Sequence, residues 1–320
     1  MGQGTALVAG GAGFLGSALV ARLLAAGRAV VCLDDFSTGI SGAVAPFLDR
    51  PGFRLVRGDV RDPPDIAATE VWNLACPADP TWWPRDPGFV TTTAVIGTFR
   101  LLALAARHEA RFLQASTSEV YGDPEIHPQP ESYAGRVDCT GPRACYEEGK
   151  RAAEALCADA LRAGQDVRVA RLFNAYGPGM RADDGRAIPA FVGRALAGRP
   201  LKLFGDGSQT RSFCFVDDML DGLLALMALP APPDGPVNLG TEEEVTLAGL
   251  ARLVLATAGS AAPVVHAAGR AHDPRRRRPD LARARQLLGF APRIGLAEGL
   301  RRVVEARQAA APAVAAPAGT

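Results

Sequence analysis

The 320-residue chain has no excess of charge of either sign: 35 Lys and Arg face 34 Asp and Glu, a formal net charge of +1. Such a surface sets up no field that would draw in nucleic acid or an anionic membrane, so neither partner is expected and any anion must be gripped locally. Paired cysteines are lacking too. The six (Cys32, Cys76, Cys139, Cys145, Cys157, Cys214) are scattered without a CxxC pair, and the histidines offer no zinc spacing. Free thiols, no metal and a reducing cytoplasm are the expectation. Residues 1–21 carry no charge, hence no basic n-region, and five glycines between positions 2 and 13 interrupt the apolar run. Neither a signal peptide nor a membrane anchor is therefore expected. Residues 309–320 are almost wholly Ala and Pro, with too little apolar bulk to offset ordering, so a disordered tail is expected over 308–320.

What is present is alternation. Residues 5–9 form a short apolar run, then come Gly10-Gly11-Ala12-Gly13-Phe14-Leu15-Gly16 and a helical pattern to Ala26, closed by Gly27. Further apolar runs at 29–33, 53–56, 71–74, 112–115 and 167–172 alternate with helical stretches that include 87–108 and 144–163. This pattern predicts an α/β chain with a Rossmann-type, doubly wound parallel sheet and a smaller C-terminal substrate-binding region. The boundaries expected are 1–173 for the Rossmann-type domain, with returns to the sheet near 213–240, and 174–307 mainly for the substrate region. No internal repeat is visible.

Three glycines spaced GxxGxxG (Gly10, Gly13, Gly16) also mark ordinary tight turns, but here they follow a strand and open a helix. Asp34 closes the next strand, where a carboxylate can accept from a ribose diol, and an acid there favours NAD over NADP. The missing side chains let the backbone approach a pyrophosphate at the helix N-terminus. Asp59 and Val60, after the third strand, are placed to meet the adenine; the other reading of Asp59 is a cap on the next turn. Tyr146 and Lys150 lie four residues apart, on one face of a helix, where the lysine charge is expected to lower the phenol's pKa and make it a base. Alone, YxxxK also describes two exposed side chains. Thr117 ends the strand predicted at 112–115, where ligands of open α/β sheets gather, and can share a substrate proton with Tyr146.

The chain resembles the extended short-chain dehydrogenase/reductases, and among them the UDP-glucuronate decarboxylases, over residues 4–305. The resemblance rests on NLACP (73–77), STSEVYGDP (116–124), HPQ (127–129), GPRACYEEGKR (141–151), RLFNAYGP (171–178) and GDGSQTRSF (205–213). It implies a tightly held NAD, contacted by Gly10, Gly13, Phe14, Leu15, Asp34, Asp59, Val60, Ala75, Tyr146 and Lys150. Thr117, Ser118, Glu119, Tyr146, Lys150 and Arg211 are implied as the catalytic set. Tyr146 would take a proton from the sugar C4 hydroxyl; the resulting 4-ketone is β to the C5 carboxylate, so CO2 can leave without a metal. Arg211 would bind the carboxylate, and Glu119 with Ser118 would position it or handle the proton returned to C5; Glu119 can equally pair with a nearby arginine. Asn174, Arg186, Gln209, Arg211 and Arg277 are implied as sugar and diphosphate contacts, although the run 275–278 also reads as a solvated basic patch. A homodimer is implied by analogy.

Ser118 stands where related sugar 4,6-dehydratases place an acid, and epimerases usually lack the acid at 119, so decarboxylation of UDP-glucuronate to UDP-xylose or UDP-4-keto-xylose is the reading preferred. Another epimerase or 4,6-dehydratase activity is the alternative, and a non-catalytic NAD-binding regulator the third. Departures at Ala94, Ala134, 138–140, Gly179 and Trp82-Trp83 suggest an altered substrate pocket.

Overall fold

The computed structural model describes residues 4–269 and 273–310. Seven strands, β1 (Ala6–Ala9), β2 (Val30–Asp34), β3 (Phe53–Arg57), β4 (Glu70–Asn73), β5 (Arg111–Thr117), β6 (Val167–Leu172) and β7 (Val237–Leu239), form one sheet. Its order is β7-β6-β5-β4-β1-β2-β3, and every neighbouring pair is parallel. The reason is in the composition: β1 and β2 are apolar runs buried along their whole length, as a sheet covered on both faces requires. Between β4 and β5 the buried Asn73 amide donates to Gln114 Oε1 at 2.8 Å and to Thr98 Oγ1 at 3.1 Å, so a polar side chain inside the sheet is still paired.

The stretch expected as one helix over 87–108 is Pro87–Thr92, a π-helical segment Thr93–Gly97, and Thr98–Arg107. By length and composition Pro87–Arg107 could cross a membrane, but half of its apolar window is buried inside the fold. The helix Ala144–Arg162 packs beside it. Of the returns expected near 213–240, Val237–Leu239 does enter the main sheet. Cys214–Phe215 pairs instead with Ala175–Tyr176 in a small separate ladder, and Val216–Ala228 is a helix packed against β6. The later region contributes the helices Ala187–Leu196, Leu247–Thr257 and Leu296–Ala310 and two further two-stranded ladders. One apolar cluster runs through both regions, joining Val8 and Leu19 to Phe191, Leu250 and Val303. Residues 308–310 finish the last helix, so the tail expected from 308 is corrected there; its remainder, 311–320, lies outside the described residues.

Arg168, on β6, is fully buried. Its Nε donates to the Leu226 carbonyl at 2.9 Å and an Nη to that of Leu229 at 2.6 Å, so it satisfies the end of the helix Val216–Ala228, and Asp166 balances its charge at 2.5 Å. Truncating it strips the Leu229 carbonyl of this donor and leaves the Leu226 carbonyl only the Leu229 amide, at 3.4 Å. Arg168→Ala should lower the unfolding free energy by about 3 kcal/mol in urea titrations.

Candidate active site

At the carboxyl end of β1 the chain turns through Gly10, at φ +75°, and enters the first helix at Phe14. A Cβ on Gly16 would lie 2.0 Å from the Gly10 carbonyl oxygen, so no side chain fits there. Gly13 precedes the helix without a side-chain cap, which leaves its first amides for a ligand. Asp34 is buried at the end of β2; its Oδ2 accepts from the Ala12 amide and its Oδ1 from the Phe36 amide, both at 2.8 Å. Burial pushes this carboxyl up, against those two bonds. Asp34 thus shapes the glycine turn while lining, with Gly10, Gly13, Val60 and Ala75, a cleft suited to a nucleoside. The residues present fit NAD. Asp59 stands apart: its carboxylate is taken by the Arg61 guanidinium at 2.6 Å and by the Arg61 amide at 2.8 Å. Asp59 thus makes the turn-cap contact of its other reading, while its neighbours Gly58 and Val60 line the cleft.

A cavity of about 330 Å³ opens beside this cradle, and Gly13, Phe14, Leu15, Thr117, Ser118, Glu119, Tyr146, Lys150, Asn174, Arg186, Arg211 and Arg277 all line it. Gln209 does not. Its amide donates to the Phe204 carbonyl at 2.8 Å and holds a turn, which corrects the contact expected of it. Arg186 reaches the cavity but is paired with Asp184 at 2.6 Å.

Tyr146 lies in the first turns of Ala144–Arg162, its ring stacked on the buried Trp83 at 4.8 Å and 15°. Burial raises its phenol well above the ordinary value; Cys76 and Glu119 add to that, while a hydrogen bond with Thr117 and the Arg186 charge oppose it. The lowering expected from Lys150 is not what the geometry produces. The ammonium donates to the Ala115 carbonyl at 2.8 Å and sits 5.9 Å from the phenol ring centroid, so it ties the helix to β5.

Glu119 follows β5 in a short turn and is buried between two guanidiniums. Arg277 reaches it at 2.7 Å, and Arg143 bonds its other oxygen. Burial alone would push this carboxyl up, but the charges of Arg277 and Arg143 outweigh it and hold the group at about 2. Arg211 is buried in the same cavity, pairing with Asp273 at 3.0 Å; burial and the neighbouring Arg277 charge bring it down to about 10. Sequence reasoning missed Arg143, which also binds Glu147 at 2.7 Å and lies 5.0 Å from the Trp83 ring. The signals were its i,i+4 spacing from Glu147 and a buried Glu119 in need of a partner. Trp82 and Gly179 line the cavity, but Ala94, Ala134 and residues 138–140 do not: Ala94 packs on Gly149, and the others are exposed. The pocket change inferred from them is corrected accordingly.

The family model for NAD dependent epimerase/dehydratases matches residues 6–240. UDP-glucuronic acid decarboxylase 4 of Arabidopsis thaliana is 45% identical over 300 residues, covering 93% of this chain and 67% of that protein. Among solved structures, the dTDP-glucose 4,6-dehydratase DesIV of Streptomyces venezuelae, with NAD bound, superposes with a TM-score of 0.87 at 29% identity, covering 96% of this chain and 97% of that one. The UDP-glucuronic acid 4-epimerase of Bacillus cereus, in complex with UDP-glucuronic acid and NAD, gives 0.84 at 26% identity over 95% and 99%. With a glycine cradle, a strand-end acid and the Tyr146–Lys150 helix in place, the chain belongs to the NAD dependent epimerase/dehydratase family.

Proposed function

We propose that the chain is a UDP-glucuronate decarboxylase, an NAD-dependent lyase that works through a 4-keto sugar and yields UDP-xylose, UDP-4-keto-xylose or both. The observation that carries this reading is the convergence of Glu119 and Arg211 with Tyr146 in one cavity, while Ser118 holds the place where a dehydratase needs an acid. The decarboxylase named in the comparison supports it, as does the neighbour that binds UDP-glucuronic acid and NAD.

Bound NAD would supply a two-electron acceptor for the sugar C4 hydride, given back where UDP-xylose forms and kept as NADH where UDP-4-keto-xylose is released. Gly10, Gly13, Phe14, Leu15, Asp34, Val60 and Ala75 would hold it. Tyr146 can take the C4 hydroxyl proton only after losing its own, which the burial that raises its phenol opposes and the positive charge of a nicotinamide beside it would favour; Thr117 lines the same cavity. Once C4 is a ketone, the C5–C6 bond breaks, its electron pair moves onto the C4 oxygen as CO2 departs, and the enolate then collapses back to the ketone as C5 takes a proton from solvent. Arg211 pairs with the sugar carboxylate before that step. An acid held at about 2 has no proton to give at neutral pH, so Glu119 positions Arg143 and Arg277 rather than protonating C5. Arg277, Asn174 and Arg186 line the same cavity, and their guanidinium and amide groups are of the kind that suits a sugar diphosphate. Two wider expectations belong to this proposal. Exposed Ile96 and Phe99, on the outside of the stretch 87–107, support a homodimer, and six free cysteines suit a reducing cytoplasm.

Incubating the purified protein with UDP-glucuronate should release CO2 and lower the mass of the sugar nucleotide by that amount; an unchanged mass rules the reading out. Tyr146→Phe should cut turnover by at least about 100-fold while the protein keeps its NAD, measured by cofactor absorbance. Arg211→Ala should weaken UDP-glucuronate more than UDP-glucose in calorimetric titrations, and equal losses would count against its pairing with the carboxylate. Because the folded Glu119 carboxyl lies below its ordinary 4.5, its stabilisation is full above pH 4.5 and is lost as pH falls toward about 2. Glu119→Gln should therefore be less stable than the parent in urea at pH 7, with the gap closing across that acid window.

A further inference from the structure

Arg143, Arg211, Arg277, Glu119 and Asp273 line the cavity as a cluster of ion pairs that the proposed chemistry only partly uses, with Glu147 behind Arg143. Three guanidiniums, of Arg143, Arg211 and Arg277, face three carboxylates, of Glu119, Glu147 and Asp273. Arg143 binds Glu119 and Glu147, Arg277 binds Glu119 at 2.7 Å, and Arg211 meets Asp273 at 3.0 Å. Asp273 already neutralises the buried Arg211, so a substrate carboxylate that takes this guanidinium brings a second negative charge to it, and its entry is costly unless a resident anion yields. Glu119 and Glu147 are held deep, with side chains 11% and 7% exposed. Asp273 is 23% exposed, lies outside any helix or strand, and among the described residues pairs with Arg211 and, at 3.9 Å, with Arg143. It is the anion of the three that can leave.

We infer that Asp273 is a specificity-determining residue whose carboxylate exchanges with the sugar carboxylate on Arg211, moving off as the acid sugar binds and returning as CO2 departs. This rests on the proposed function, and specifically on Arg211 taking the substrate carboxylate. The charge change of the reaction gives the exchange its direction. The sugar carboxylate leaves as a neutral molecule, so Arg211, buried beside Arg277, would face the pentose product without a counter-ion. Asp273 restores one. The same competition raises the free energy of the bound acid relative to the decarboxylated sugar, so binding energy withheld from the substrate favours loss of CO2.

The test compares Asp273 with Asp273→Asn and Asp273→Ala, each in a Tyr146→Phe background loaded with NAD so that bound substrate persists. Calorimetric titration with UDP-glucuronate, UDP-xylose and UDP gives the discriminating ratio. Both substitutions should raise the affinity for UDP-glucuronate relative to UDP-xylose by on the order of tenfold, with UDP, the control for an intact site, unchanged. With Tyr146 restored, Asp273→Asn should lower both KM and kcat, the pattern of a removed ground-state penalty; a residue that merely propped the loop would raise KM. A ratio that stays constant or moves toward UDP-xylose overturns the inference. Release of CO2 from UDP-glucuronate by the unaltered protein separates the two failures: CO2 with an unmoved ratio sinks only the role of Asp273, whereas no CO2 sinks the decarboxylase reading and this inference with it.

Discussion

The burial of Glu119 between Arg143 and Arg277 is the constraint around which the site is organised. Each of the three sits on a different part of the chain: the turn after β5, the entrance to Ala144–Arg162, and the returning segment at 273–280. An unpaired charge at this depth costs several kcal/mol, so each group is tolerable only while the others are in place. The ion pairs thereby fix where Tyr146, three residues beyond Arg143, stands relative to the strand end carrying Thr117. Trp83 closes the arrangement by stacking on Tyr146, and its indole N–H is satisfied by the Pro77 carbonyl at 2.9 Å.

The fold was legible because its signals are local. Apolar runs of four to six residues, alternating with helical patterns, leave a parallel sheet as their main solution, and the strands on the page fall within a residue or two of the runs that announced them. Gly10 and Gly16 were legible for the same reason, since a turn into a helix under a close backbone approach must be written in glycine. Where the reading slipped, a rhythm had been extended past its evidence. Residues 213–229 look as apolar as a sheet strand, yet their length and 3.6-residue period make most of them a helix.

The site was half legible. Motif residues such as Thr117, Tyr146 and Lys150 do gather, because strand ends and helix faces carry them to one edge of the sheet. Partnerships across the chain were not readable: nothing near Asp59 in sequence distinguishes an adenine contact from the Arg61 pair, and nothing near Gln209 says that its amide turns back to Phe204. Lys150 shows the limit best. Its spacing from Tyr146 was read correctly, but the carbonyl that anchors its ammonium lies on β5, 35 residues away. The pocket departures misled likewise, since a substitution is visible in sequence while the direction its side chain faces is not.

Asp34 has a consequence for anyone wishing to redesign the coenzyme preference of this scaffold. Its two oxygens hold the amides of Ala12 and Phe36, so one carboxylate both repels a 2′-phosphorylated dinucleotide and braces the turn over which any dinucleotide must lie. Exchanging it for a neutral or basic side chain would remove the repulsion and unhook the turn in the same stroke. Selection toward the phosphorylated coenzyme would have to rebuild the brace first, which makes the present preference hard to escape by single steps.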